Sequence, residues 1–190
     1  MVKQLVKRAI QHDTDAFLEL MECNTKDMYK VAKAILKNEE DVADAMQETI
    51  LVCFEKLDTL QHPKYFKTWL IRILINICND IIRQNQKEYL MSDVYPEMAD
   101  PNVVTSDLEL VELLNTLDEK YRIIVVLYYV EGFKISEISQ LLGINQNTVK
   151  TRLSRARKSL KKEYEEVNLV KNNLIHRVSE RISVKKVILI

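Results

Sequence analysis

Apolar residues recur along this chain at intervals of three and four, a spacing that predicts a series of amphipathic helices. Asp13-Thr14-Asp15-Ala16-Phe17 places acids where a helix starts, next to the positive end of its dipole. Phe17, Leu20, Met21, Met28, Val31, Ala32 and Ile35 then share one face. Asn38-Glu39-Glu40-Asp41 opens a second helix, whose apolar stripe is Val42, Met46, Thr49, Ile50, Cys53, Phe54 and Leu57. A third is expected over about 66–86. Its inward side is Trp69, Leu70, Ile73, Leu74, Ile77 and Ile81, and its polar side is Lys67, Arg72, Asn76, Asn79, Asp80 and Arg83. Further on, short helices are expected at about 107–116, 119–130, 135–142 and 146–164. Asp118 is placed to cap the second of these, and Asn145 or Gln146 to start the last.

The breakers divide this series. Only two glycines and three prolines occur in 190 residues, which argues for an all-α chain. Pro96 and Pro101 lie in the polar, non-periodic stretch 91–106, read as a flexible acidic linker. It separates a helical block at 1–90 from another at 107–166, leaving a tail at 167–190. Pro63 interrupts the first block, while Gly132 and Gly143 fall between the short helices of the second. A composition 47% hydrophobic and 29% charged is enough for two small cores with soluble surfaces.

Charge changes the picture once it is read by position. The chain carries 28 basic and 28 acidic residues, a balance that by itself argues against nucleic acid as a partner. Yet residues 91–119 contain acids and no Lys or Arg, whereas 146–162 contain seven bases and no acid. Cys23, Cys53 and Cys78 form neither a disulfide framework nor a metal-binding spacing, and Cys53 and Cys78 sit among apolar residues as buried small hydrophobes. No signal-like apolar stretch follows Met1, and no apolar run is long enough to cross a bilayer. The expectation is a cytoplasmic protein with no direct membrane insertion and no cofactor.

The sharpest local pattern runs from Ile135 through Leu153. Ile135, Ile138, Leu141 and Leu142 face inward on a short helix, Gly143 permits a positive φ in a tight turn, and Ile144 returns to the core. In the helix that follows, Val149, Leu153 and Leu160 point inward, leaving Lys150, Thr151, Arg152, Ser154, Arg155 and Arg157 around the rest of the surface. This is the pattern of a DNA-reading helix-turn-helix, whose second helix enters the major groove. There an Arg can pair with guanine, worth about 1–3 kcal/mol of discrimination, while other bases neutralise phosphates. A plain hairpin with a solvated basic face would account for the charge alone, but not for the glycine turn, apolar spacing and acid-free helix together.

Two sets of residues carry a family resemblance. The first is Leu117-Asp118-Glu119-Lys120-Tyr121-Arg122-Ile123-Ile124, continuing through Gly132 and the helix-turn-helix to Ala156-Arg157. It resembles the sigma-4 domain of extracytoplasmic-function sigma factors of RNA polymerase, in the sigma-70 family. The second is Glu40-Asp41-Val42-Ala43-Asp44-Ala45-Met46-Gln47-Glu48-Thr49 with Phe66-Lys67-Thr68-Trp69-Leu70-Ile71-Arg72-Ile73 and Asn76, which resembles their sigma-2 domain. Order and spacing agree over about residues 10–162.

The resemblance implies a non-catalytic subunit that brings core RNA polymerase to promoter DNA and helps to open it, usually under an anti-sigma partner and in a stress response. It implies that helix 41–57 docks on the clamp helices of the largest polymerase subunit through Asp41, Asp44, Gln47 and Glu48. It further implies that loop 60–66 and the helix after it recognise and melt the minus-10 element, with His62, Lys64, Tyr65, Phe66, Lys67, Arg72, Asn76, Asn79 and Arg83 on hand. Melting requires a base held outside the stack, close to aromatic surfaces and donors. Trp69 lies on the inward stripe and is read as core. Lys150, Thr151, Arg152, Ser154 and Arg155 match positions that read or clamp the minus-35 element. The tail from Asn168 onward departs from the family pattern, and its role is open.

Two other classes fit less well. A stand-alone regulator would need a ligand, receiver or dimer module in 1–90, where no Gly-rich phosphate loop or strand–helix alternation occurs. An enzyme would need a catalytic grouping, but His12, His62 and His176 are scattered and no nucleophile–base set can be assembled around them.

Overall fold

The computed structural model describes residues 2–91 and 114–174, with side chains described for 2–87 and 114–163. The chain divides into two compact units, Met1–Ala99 and Asp100–Ile190. Nearly all of the linker read at 91–106, the start of the helix read at 107–116, and residues 175–190 of the tail lie outside the described residues.

The N-terminal unit contains α1 (Val2–Ile10), α2 (Thr14–Ile35), α3 (Glu39–Lys56) and α4 (Phe66–Met91). Two 3-10 turns, Leu57–Thr59 and Pro63–Tyr65, link α3 to α4. The pattern of apolar positions does not single out α1, whose inward residues are only Leu5, Val6 and Ala9. It packs on α2. The turn that follows it passes through His12, which adopts a left-handed φ of 64°. There the His12 amide donates to Ala9 O and the Asp13 amide to Arg8 O. Asp13 then works in both directions. One carboxylate oxygen accepts the Ala16 amide at 3.0 Å, capping α2, and the other accepts Arg8 Nε at 2.7 Å. The Ala16 amide first, and Arg8 after it, hold this carboxyl below the ordinary aspartate range.

The expected α2 face is buried throughout, and Asn24 joins it by donating its side-chain amide to Leu20 O at 2.7 Å. Asn38 caps α3 through the Glu40 amide. The inward line of α3, however, is Val42, Ala45, Thr49 and Cys53. Met46 and Ile50 are half-buried, and Phe54 is 59% exposed with its ring edge-on to Phe17 at 5.2 Å. In α4 the buried line is likewise displaced, to Phe66, Leu70, Ile71, Leu74, Ile75 and Cys78. Trp69, Ile73, Ile77 and Ile81 are half-buried on its flank. Both shifts have one cause. α3 and α4 each pack against two helices, so the middle of the buried arc lies between two neighbours rather than on the most apolar stripe. Small residues at 45, 49 and 53 let those neighbours approach. Cys53 and Cys78 are fully buried, which pushes both thiols up to about 12, while Cys23 is exposed.

The C-terminal unit contains α5 (Glu119–Val125), a π-helical turn (Val126–Val130) that continues it, α6 (Ile135–Leu142) and α7 (Gln146–Leu174). Leu117, Val125, Ala156 and Leu160 form a core cluster, with Leu114, Tyr121 and Tyr129 packed on it. Asp118 stands at the start of α5 without making the expected side-chain cap; it pairs with Lys120 at 3.2 Å instead. Arg122 is buried and donates to Leu114 O and Leu117 O. α7 runs on to Leu174, beyond the expected end near 164, into the segment read as tail.

Candidate nucleic-acid interface

The turn between α6 and α7 is closed by bonds that follow from its residue types. Gly143 takes φ 62° and ψ 29°, a left-handed geometry that costs a residue with a Cβ more than glycine, and its amide donates to Ser139 O. The Ile144 amide also donates to Ser139 O, and Ser139 Oγ donates back to Ile144 O at 2.6 Å. Ser139 was not singled out from the sequence, since a serine beside a turn has no distinctive spacing. The Glu137 carboxylate accepts the Lys134 amide at the start of α6, and Asn145 accepts the Asn147 amide at the start of α7.

α7 is anchored by Val149, Leu153, Ala156 and Leu160, each at most 3% exposed. Opposite them, Lys150, Thr151, Ser154 and Arg155 are exposed, and Arg152 is half-buried on the flank. None of Lys150, Arg152 and Arg155 is paired with an acid among the described residues. Thr151 donates its hydroxyl to Asn147 O, which leaves its oxygen as an acceptor. The result is an electropositive helix face on a firm hydrophobic base, suited to phosphates and guanine edges.

In the N-terminal unit, His62, Lys64 and Tyr65 are exposed on the loop between α3 and α4. Tyr65 has the His62 ring edge-on at 6.1 Å and Lys64 Nζ 4.6 Å from its own ring centroid. Arg72, Asn76, Asn79 and Arg83 follow as one exposed stripe of α4. Three of the expected positions differ in kind from the rest. Phe66 is 1% exposed and belongs to the core, so its ring is not available to stack on a base; the residue starts α4 and supports the loop from beneath. Lys67 is held by Asp27 of α2 at 2.7 Å. Arg83 pairs with Asp80 at 2.6 Å. Trp69, read as core, lies half-buried at 6.1 Å from Phe66.

A third surface lies on α3. Asp44, Gln47 and Glu48 are exposed on one face, and Leu51 and Phe54, each 59% exposed, continue that face toward the C-terminal end of the helix. Helical spacing alone sets Phe54 on the inward stripe, whereas the structure turns it outward beside Leu51. Asp41 differs from the other acids: it is half-buried and accepts Asn85 Nδ2 of α4 at 3.0 Å. Among the described residues no group of three or more His, Cys, Asp or Glu is placed to hold a metal ion.

Comparison with known proteins identifies the family of both units. The Sigma-70 region 2 family matches residues 20–88, and the Sigma-70, region 4 family matches residues 107–160. The chain is 33% identical over 138 residues to RNA polymerase sigma factor SigV of Bacillus subtilis, covering 72% of this chain and 83% of SigV. It is 29% identical over 180 residues to ECF RNA polymerase sigma factor SigW of the same organism, covering 86% and 96%. Among solved structures, CnrH in complex with the cytosolic domain of CnrY aligns with a TM-score of 0.63 at 25% identity, over 87% of this chain and 97% of that one. The sigma factor RpoE of Bartonella quintana, in complex with the anti-sigma factor NepR, shares the fold with a TM-score of 0.70 at 23% identity, over 78% and 96%.

Proposed function

The chain belongs to the extracytoplasmic-function sigma factors of the sigma-70 family, and from that membership we propose a division of labour among its surfaces. It is an alternative sigma factor, a non-catalytic subunit that binds core RNA polymerase, directs it to minus-35 and minus-10 elements and promotes melting. In our reading residues 1–90 form the sigma-2 domain, 91–106 the linker, 107–166 the sigma-4 domain, and 167–190 a tail to which we assign no role. Lys150, Thr151, Ser154 and Arg155, flanked by Arg152, read the minus-35 element. His62, Lys64 and Tyr65 with Arg72, Asn76, Asn79 and Arg83 meet the minus-10 element, and Lys67 aligns α4 through Asp27. Asp44, Gln47 and Glu48 dock on polymerase, with Leu51 and Phe54 completing the face, and Asp41 holds α3 against α4.

The observation that carries this reading is the α7 surface: exposed bases opposite a buried apolar line, behind a left-handed glycine turn. An anti-sigma partner covering the polymerase-binding faces is part of the proposal, supported by the complexes in which CnrH and RpoE are found. No described helix is long and apolar enough to cross a membrane. We assign the working protein to the cytoplasm, as a promoter-reading role requires.

Run-off transcription with core polymerase on a genomic promoter library tests the assignment. Transcripts dependent on this chain should share two spaced upstream elements. Arg155→Ala should lower minus-35-dependent initiation about tenfold, from the ~1–3 kcal/mol of a base contact, with core binding intact. Asp44→Lys with Glu48→Lys should abolish core binding without altering DNA affinity. Equal loss of core binding in both variants would refute the division.

A further inference from the structure

Arg157 differs from the other bases of α7 in what it touches. At helical spacing it borders the buried line, four residues after Leu153 and three before Leu160. Its Nε donates to Tyr129 Oη at 2.5 Å, and its guanidinium carbon lies 5.7 Å from the Tyr129 ring centroid. That second distance is near the outer limit of a cation–π contact, about 6 Å, so the hydrogen bond carries the interaction. Tyr129 itself is well held. It packs on the cluster of Leu117, Val125, Ala156 and Leu160, and Tyr128 meets it edge-on with centroids 4.9 Å apart.

The backbone explains why Tyr129 faces α7. Tyr129 lies in the π turn Val126–Val130, closed by the Glu131 amide on Val126 O. A wider turn changes the angle at which the following side chains leave the helix axis. Here it brings the tyrosine hydroxyl to the flank of α7 while the ring stays on the core.

We propose that Arg157 is a positioning residue: anchored on Tyr129, it sets the roll of α7 against the π turn, and it is not one of the phosphate contacts that its charge suggests. The inference rests on the assignment of α7 as the DNA-reading helix. It adds Tyr129 and the π turn to what determines how that helix is presented.

Salt dependence separates the two roles, because each neutralised phosphate contributes about 0.9 to the slope of log affinity against log salt. The full-length chain is titrated onto a labelled non-promoter duplex at a series of KCl concentrations. Lys150→Gln should lower the slope by about 0.9. Arg157→Gln should weaken binding several-fold at every salt concentration and leave the slope unchanged. Tyr129→Phe keeps the ring and loses only the hydroxyl; it should reproduce that loss, and the double variant should bind no more weakly than either single one. A fall of about 0.9 in slope for Arg157→Gln, or losses that multiply in the double variant, overturns the positioning role. An unchanged slope for Lys150→Gln as well would overturn the DNA-reading assignment of α7, and this inference with it.

Discussion

Replacing Arg122 by methionine keeps an unbranched stem reaching about as far as the arginine Nε and removes its fork of donors. Arg122 is 8% exposed and reaches Leu114 O at 3.1 Å and Leu117 O at 3.0 Å. The two carbonyls do not lose equally. Leu114 O also accepts the Leu117 amide at 3.1 Å and keeps that partner. Leu117 is 3% exposed, so its carbonyl would lose a charged donor where water has little access. A buried acceptor left without a partner costs about 1–3 kcal/mol, and the lost bond at Leu114 adds roughly 1 kcal/mol. Against this, methionine removes the cost of keeping a guanidinium out of water, a cost visible in the downward push that burial gives the Arg122 pKa, which Glu119 partly opposes. The net expectation is a loss of about 2 kcal/mol in the C-terminal unit, or roughly 10 °C in the melting of a domain of that size. Arg122→Lys should lose nearly as much, since a single ammonium cannot reproduce the planar fork. Amide hydrogen exchange reads the result locally. Protection should fall in α6 and the start of α7 and stay unchanged in α2 and α3. A loss below about 0.5 kcal/mol would show that relief of desolvation cancels the lost bonds. An equal loss in α2 and α3 would show that the two units do not unfold independently.

Two more outcomes follow from buried and paired groups. A thiol reagent at neutral pH should modify Cys23 rapidly, and Cys53 and Cys78 only at the rate of unfolding, since burial holds both near 12; mass mapping of early modification at Cys53 or Cys78 would contradict the α3–α4 packing. Asp13 titrates lower in the folded chain than unfolded, so its contribution to stability is complete above the ordinary aspartate range and is lost as pH falls through the lowered value. Acid unfolding of Asp13→Asn, followed by circular dichroism, should therefore show a weaker pH dependence in that window, and an identical profile would refute the pairing.

Much of the architecture was legible in the order of residues. Helical spacing located α2, α3, α4, α6 and α7, because a period of three to four reports how a helix is turned about its own axis. Asp13 and Asn38 announced helix starts, because a short polar side chain can reach the free amides there. Gly143 announced the turn, because its φ is costly for other residues. The acid-free stretch 146–162 marked the helix to which we assign promoter contact, since a run of like charge needs no tertiary contact to be seen.

What the tertiary structure decided is which side of each helix meets which neighbour. Phe66 is core and Phe54 is surface, the reverse of their sequence reading, because two packed neighbours set the buried arc. Pairs such as Lys67 with Asp27 and Asn85 with Asp41 lie 40 and 44 residues apart, so no local pattern could have joined them. The π turn and the Tyr129–Arg157 contact depend on how α5 and α7 meet. Periodicity gives the direction of a side chain about its own helix; only packing determines what stands there to receive it.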